Sequence, residues 1–161
     1  MRVTLECGRT GLPVDLPDKN VLKVLRYRPA EVLPDPSGTI RELLWRTTGT
    51  APLAEIAAGR RSACVVICDI TRPVPNELIL SELLPLLETA GIPREKITIL
   101  IATGLHRPNL GDELVEIVGK SIVEKYRIEN HSGQALNEHE FLGESPRGVP
   151  VWIDRRYIQA D

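Results

Sequence analysis

Two short runs of almost continuously apolar, partly β-branched residues constrain this chain more than any other feature. Ala63-Cys64-Val65-Val66-Ile67-Cys68 and Lys96-Ile97-Thr98-Ile99-Leu100-Ile101-Ala102 are too short to be helices of their own, and they lack the strict polar alternation of a strand with one wet face. Strands of this kind are buried on both faces, which is the environment of a parallel sheet. Between the runs, Asn76 opens a stretch with Leu78, Ile79, Leu83, Leu86 and Leu87 at helical spacing, and Gly91 followed by Pro93 stops it. Pro85 inside that stretch predicts a bend. Strand, helix and strand in this order form a βαβ unit, whose crossover is expected to be right-handed.

The pattern then repeats. Leu114, Ile117, Val118, Ile122 and Val123 lie at helical spacing between Gly111 and Tyr126, a second crossover helix interrupted at Gly119, and Arg127 to Asn130 supplies a third strand. Towards the N-terminus, Val3, Leu5 and Cys7 alternate with polar neighbours, Gly8 to Gly11 supplies a turn, and Val14 to Leu16 continues a hairpin. Val21 to Leu25 is a further short apolar segment, and residues 28–38 read as loop. Ser37 is placed to cap a helix over 39–47, and Pro52 to open another that runs to Ala58. Near the C-terminus, Glu140 to Leu142 and Val149 to Ile153 read as strands around a turn at Gly143 to Gly148, and the last residues begin a helix. The expected fold is therefore a single α/β domain. Its core over 37–161 is a three-layer, Rossmann-like parallel sheet built from βαβ units, and a small β appendage covers 1–36.

Composition removes several function classes. With 161 residues and a formal charge of -2, the chain has no basic excess to neutralise a phosphate backbone, so nucleic acid is not an expected partner. No run approaches the roughly 18 apolar residues of a membrane span, and residues 1–7 lack a signal-peptide core, so no membrane partner and a cytoplasmic location are expected. Three cysteines without CxxC spacing support neither a disulfide framework nor a four-cysteine zinc site. No GxGxxG or GxxxxGK[ST] phosphate loop occurs.

In an open parallel sheet, ligands bind beyond the carboxyl ends of the strands, where backbone donors and helix N-termini converge. Two polar clusters fall there: Asp69-Ile70-Thr71-Arg72 after the first strand, and Thr103-Gly104-Leu105-His106-Arg107 after the second. The βαβ unit makes them neighbours. A carboxylate at Asp69 can accept from ribose hydroxyls, Arg72 offers a bidentate fork to phosphate or carboxylate, and Thr71 and Thr103 add donors. Gly104 permits close backbone approach, and His106 brings the side-chain type that exchanges protons near neutral pH. The structural alternatives are that Asp69 merely caps a turn and that Arg72 pairs with Glu77 or Glu42. His131, in the Asn-His-Ser-Gly run after the third strand, could line the same crevice from that strand end but reads better as part of a solvated loop, and His139, between Glu138 and Glu140, reads as exposed. No metal-ligating residue is expected in the chain, since its three histidines have no common local setting.

The pair Asp69-Ile70-Thr71-Arg72-Pro73-Val74-Pro75 and Ile101-Ala102-Thr103-Gly104-Leu105-His106-Arg107 resembles the N-terminal motifs of the nickel-pincer lactate racemase family. The likeness is closest over about residues 60–135. It implies an isomerase that racemises a small 2-hydroxy acid by reversible hydride transfer. The cofactor so implied is a nickel pincer nucleotide, the nickel complex of pyridinium-3,5-bisthiocarboxylic acid mononucleotide. By position, Asp69, Ile70, Thr71, Arg72, Thr103 and Gly104 correspond to cofactor contacts, His106 to one of two acid–base histidines, and Arg72 and Arg107 to groups that hold the substrate acid.

The same resemblance implies a second histidine, a nickel-binding histidine and a Ser-Gly-Gly-x-Lys tether in the family beyond the stretch matched here. None occurs before Asp161. The expectation is a truncated N-terminal domain of a longer racemase, with the remainder of the parent as partner, oligomerisation open, and neither cofactor nor activity in the fragment alone. The alternative is a non-catalytic nucleotide- or anion-binding module.

Overall fold

A computed structural model describes residues 1–25 and 28–161, and the chain divides into two compact units, Met1–Val32 and Leu33–Asp161. In the first unit, β1 (Arg2–Leu5) and β2 (Leu12–Asp15) form an antiparallel hairpin in which Val3 faces Val14. The alternation that predicted β1 is present, but its faces are largely exposed, and Val21 to Leu25 adopt no regular element.

The second unit opens with α1 (Pro36–Trp45) and α2 (Leu53–Ala57). Here the sequence reading needs correction. Asp35, not Ser37, is the cap: its carboxylate accepts the Gly38 N–H at 2.9 Å, and Pro36 occupies the first turn, where its missing N–H costs nothing. The helix therefore starts inside the stretch read as loop.

Next come β3 (Ala63–Ile67), α3 (Asn76–Thr89), β4 (Ile97–Ile101), α4 (Asp112–Val118), α5 (Lys120–Val123) and β5 (Arg127–Asn130). The three strands form one parallel sheet in the order β3-β4-β5, with Ala63 opposite Ile97 and Thr98 opposite Arg127. The helix continues through Pro85 as one element, and the second crossover helix breaks at Gly119 as its spacing predicts. Ile97, Ile99 and Ile101 on the central strand are fully buried and pack with Leu80, Leu84 and Leu87 of α3 and with Ile117 and Val118 of α4. Each such side chain contributes about 1.5–3 kcal/mol of burial, which makes β4 the anchor of the sheet and of the loop that follows it.

The chain then forms an antiparallel ribbon from β6 (His139–Glu144) and β7 (Pro150–Asp154), followed by α6 (Arg155–Ile158). The register slips between Phe141 and Gly143, where Gly143 takes a φ of 108°, the positive backbone angle a glycine tolerates in a bulge. Asp154 closes the ribbon and caps α6 by accepting the Arg156 N–H at 2.9 Å. The α6 helix packs on β3 and β4.

Candidate active site at the strand ends

Both predicted loops leave the carboxyl ends of adjacent strands and meet side chain to side chain. Asp69 follows β3 and is 5% exposed. Its Oδ1 accepts the Thr71 N–H at 3.2 Å and the Thr71 hydroxyl at 2.6 Å, a local Asx turn that fixes the carboxylate plane. Its Oδ2 lies 2.5 Å from Nδ1 of His106, which hangs from the loop after β4 and keeps 56% of its side chain exposed. The Thr71 hydroxyl first, and then His106, hold the Asp69 carboxyl below the usual aspartate range against the opposing effect of burial. A buried, ionised carboxylate on Nδ1 favours the tautomer protonated there, which leaves Nε2 as the atom able to take up a proton.

The loop carrying His106 is itself a tight turn. The His106 N–H donates to the Thr103 carbonyl at 2.9 Å, and Gly104 takes a φ of 60° that a side chain would strain. Thr103 is buried, and its hydroxyl donates to the carbonyl of His131 rather than standing open to solvent. Ile70 is half-buried against the core, and its N–H reaches Asn109 Oδ1 at 3.4 Å. Arg72 is exposed and carries no ion pair among the described residues; neither Glu77 nor Glu42 engages it. Arg107 differs. Its guanidinium forks onto Glu113 at 2.8 and 2.6 Å, and that pairing, with a further bond from Asn109, pulls the Glu113 carboxyl down to about 2.

The structure thus brings Asp69, Thr71 and His106 into one hydrogen-bonded group, with Arg72 on the same loop as Asp69 and Arg107 tied to α4. A groove of about 600 Å3 lies elsewhere, lined by Leu53, Leu83, Leu87, Tyr157 and Ile158, and no predicted site residue borders it. The predicted residues gather instead at the open strand ends.

Two expectations fail. His139 is 5% exposed and donates from Nδ1 to the Ala135 carbonyl at 2.8 Å. His131 is no solvated loop residue: its Nδ1 sits 3.0 Å from Asp154 Oδ2, and its ring meets the His139 ring edge-on at 4.9 Å. Burial would raise the Asp154 carboxyl, but Arg156 and then His131 outweigh it and hold the group well below its ordinary value. Residue type and neighbours along the chain could not show this, because the partner lies on β7. Asn109 and Asn130 were also missed. Buried Asn109 donates its N–H to Asn130 Oδ1 at 2.8 Å, and Asn130 Nδ2 donates back to the Asn109 carbonyl at 3.0 Å. The only sequence signal for that pair is an amide side chain at the end of a strand.

The chain is a parallel α/β domain that brings Asp69 and His106 together at its strand ends, with Arg72, which has no ion pair among the described residues, on the same loop as Asp69. Residues 7–161 match the lactate racemase N-terminal domain family, and the chain belongs to that family. It is 27% identical over 161 residues to a lactate racemase of Thermoanaerobacterium thermosaccharolyticum, covering 99% of this chain and 38% of the relative. It is 33% identical over 123 residues to a lactate racemase of Lactiplantibacillus plantarum, covering 76% of this chain and 29% of the relative. The chain therefore spans well under half the length of these curated relatives.

Among solved structures, the lactate racemase apoprotein of the Thermoanaerobacterium species superposes with a TM-score of 0.80 at 26% identity, over 100% of this chain and 37% of that one. A Thermotoga maritima protein shares the fold alone, with a TM-score of 0.56 at 22% identity over 74% of this chain and 30% of that one. No helix among the described residues is long and apolar enough to cross a membrane.

Proposed function

We propose that this chain is the N-terminal domain of a longer 2-hydroxy-acid racemase of the lactate type, and that it supplies one wall of the active site. The observation that carries this reading is the 2.5 Å contact between His106 Nδ1 and buried Asp69 Oδ2. A plain anion cradle has no use for a buried carboxylate holding an imidazole in one orientation, whereas a proton-transfer residue does. That favours the enzyme over a non-catalytic nucleotide-binding module.

The residues fit an anionic ribonucleotide such as the nickel pincer nucleotide. Arg72 is a charged fork with no ion pair of its own among the described residues, and Gly104 has no Cβ and open space where one would stand, which lets a ligand approach its backbone. By the family resemblance, the nickel donors belong to the cofactor and the remainder of the parent rather than to this chain. When bound, the cofactor supplies the centre that accepts and returns the hydride.

The chain's own work is then proton handling and charge recognition. His106 Nε2 takes the hydroxyl proton of the 2-hydroxy acid and later returns it. Ionised Asp69 holds the ring and stabilises the imidazolium while the proton resides there. Arg72 faces the anionic part of the ligand, with Ile70, Thr71, Thr103 and Gly104 shaping the cradle and Arg107 available to a carboxylate only on leaving Glu113.

The test is direct. In the longer parent, His106→Ala is expected to abolish racemisation while nucleotide retention persists, and the present chain alone is expected to racemise nothing. Full activity of the His106→Ala parent, or nickel-dependent racemase activity of this chain by itself, would contradict the proposal.

A further inference from the structure

The end of β5 contributes a third element to this site, one that neither motif predicts. His131 follows Asn130 and donates its N–H to the Ile101 carbonyl at 2.9 Å, extending the sheet past β4. The His131 carbonyl receives the Thr103 hydroxyl, and the Gly133 N–H donates to the Gly104 carbonyl at 2.7 Å. Both residues that begin the His106 turn are therefore fastened to the same segment. Contact there is close: a Cβ added at Gly133 would lie 3.1 Å from the Gly104 oxygen and 3.3 Å from Leu105 Cδ2. The segment is fixed from behind by the His131 ring on Asp154 and from the side by the Asn130 and Asn109 exchange.

We propose that the Asn130–Gly133 segment positions the Asp69–His106 pair, with His131 acting through Thr103 and Gly133 acting through Gly104. It rests on the reading of that pair as the proton-handling group. The physical argument is leverage. The Thr103–His106 turn has one internal hydrogen bond and a glycine in a positive-φ conformation, so its height above the sheet is set by what it leans on. Charge-assisted hydrogen bonds weaken steeply with misplacement, so a few tenths of an ångström at Gly104 should be felt at Nδ1 of His106. Gly133, which lacks a positive φ, accepts alanine without backbone strain, so the substitution acts as a wedge and little else.

The experiment uses the 161-residue chain with carboxyl-carbon and imidazole-nitrogen NMR. Gly133→Ala is expected to raise the Asp69 titration midpoint towards the ordinary aspartate range and to reduce the Nδ1-protonated bias of neutral His106. Thr103→Val, which removes only the hydroxyl, is expected to do the same and serves as the judge if the wedge prevents folding. Gln134→Ala, an exposed change just outside the segment, should leave both signals in place. Folded Gly133→Ala and Thr103→Val proteins with wild-type signals would overturn the proposal, as would an equal shift in Gln134→Ala. In the longer parent, Gly133→Ala should lower kcat about tenfold with KM nearly unchanged, the pattern of a misplaced group that acts in the transition state. A wild-type parent without racemase activity would sink the functional reading, while the spectra of the present chain would still decide the positioning claim.

Discussion

Oδ2 of Asp69 and Nδ1 of His106 lie 2.5 Å apart, although the two residues are separated by the whole of α3 and β4. The carboxylate is buried and the imidazole is half-exposed, so one partner is fixed while the other, bonded through Nδ1, keeps contact with solvent. That asymmetry suits an orienting carboxylate and an acting base better than a surface ion pair, which contributes little in any geometry.

Asp69→Asn tests the division of labour. The amide keeps the size but presents either a neutral acceptor or a donor to Nδ1, and the tautomer that frees Nε2 loses its support. By analogy with other carboxylate-oriented histidines, kcat in the parent is expected to fall by about 10³–10⁴-fold with substrate binding largely kept. Because the folded-state value of Asp69 is depressed, its contribution to stability is complete above the unfolded value of about 3.9 and is lost as the pH falls below it. Urea unfolding of the chain at pH 7 and pH 3 should show a smaller acid loss for Asp69→Asn than for wild type. An equal loss in both would mean that the carboxylate is not held ionised by the fold.

Arg72 and Arg107 should separate cleanly, although the sequence places them alike. Arg72 has no ion pair among the described residues, whereas Arg107 is spanned by both oxygens of Glu113. A charge-assisted fork onto a ligand is worth roughly 10–100-fold in binding, so Arg72→Ala should raise KM in the parent by that factor. Arg107→Ala should change KM much less, because its guanidinium must first leave Glu113, and Glu113→Gln should narrow the difference by releasing it. Steady-state kinetics of the three variants provide the check. Equal KM increases for both arginine variants would overturn the distinction.

The sheet and the meeting of its two polar loops were legible in the sequence for one reason: parallel strands are written as local apolar runs, and the polar loops sit where those runs stop. Ala63–Ile67 and Ile97–Ile101 were recognisable from their apolar runs, and the loops carrying Asp69 and His106 followed from being next in the chain. Burial on both faces, however, holds only for β4: on β3 Ile67 alone is buried and Val66 is 47% exposed, because an apolar run does not tell whether a second layer covers it. Contacts that depend on a distant partner were not legible. The Glu138-His139-Glu140 run looks hydrophilic, yet the β6–β7 pairing turns His139 inward to the Ala135 carbonyl. Asp35 displaced Ser37 as a cap because both residue types suit the position, and only the backbone path decides which one reaches the free N–H. Arg107 carried the charge expected of a ligand group, but Glu113, on α4, had the better claim on it.

Asp154 offers the sharpest stability test, because three elements converge on one buried carboxylate. It accepts from the Arg156 guanidinium and backbone, caps α6, and anchors the His131 ring that backs the His106 turn. Asp154→Ala leaves Arg156 facing only Glu129 and Glu138 and leaves His131 Nδ1 without its acceptor, so a loss of about 2–4 kcal/mol is expected. The pH sign follows from the depressed value of the carboxyl. Its contribution is present in full above about pH 4, the unfolded range, and disappears only as the pH falls below it. The stability gap between wild type and Asp154→Ala in urea should therefore shrink between pH 5 and pH 3. A gap that instead grew between pH 5 and pH 3 would show that the carboxylate is not ionised in the folded chain, and the anchoring of His131 would then need a different account.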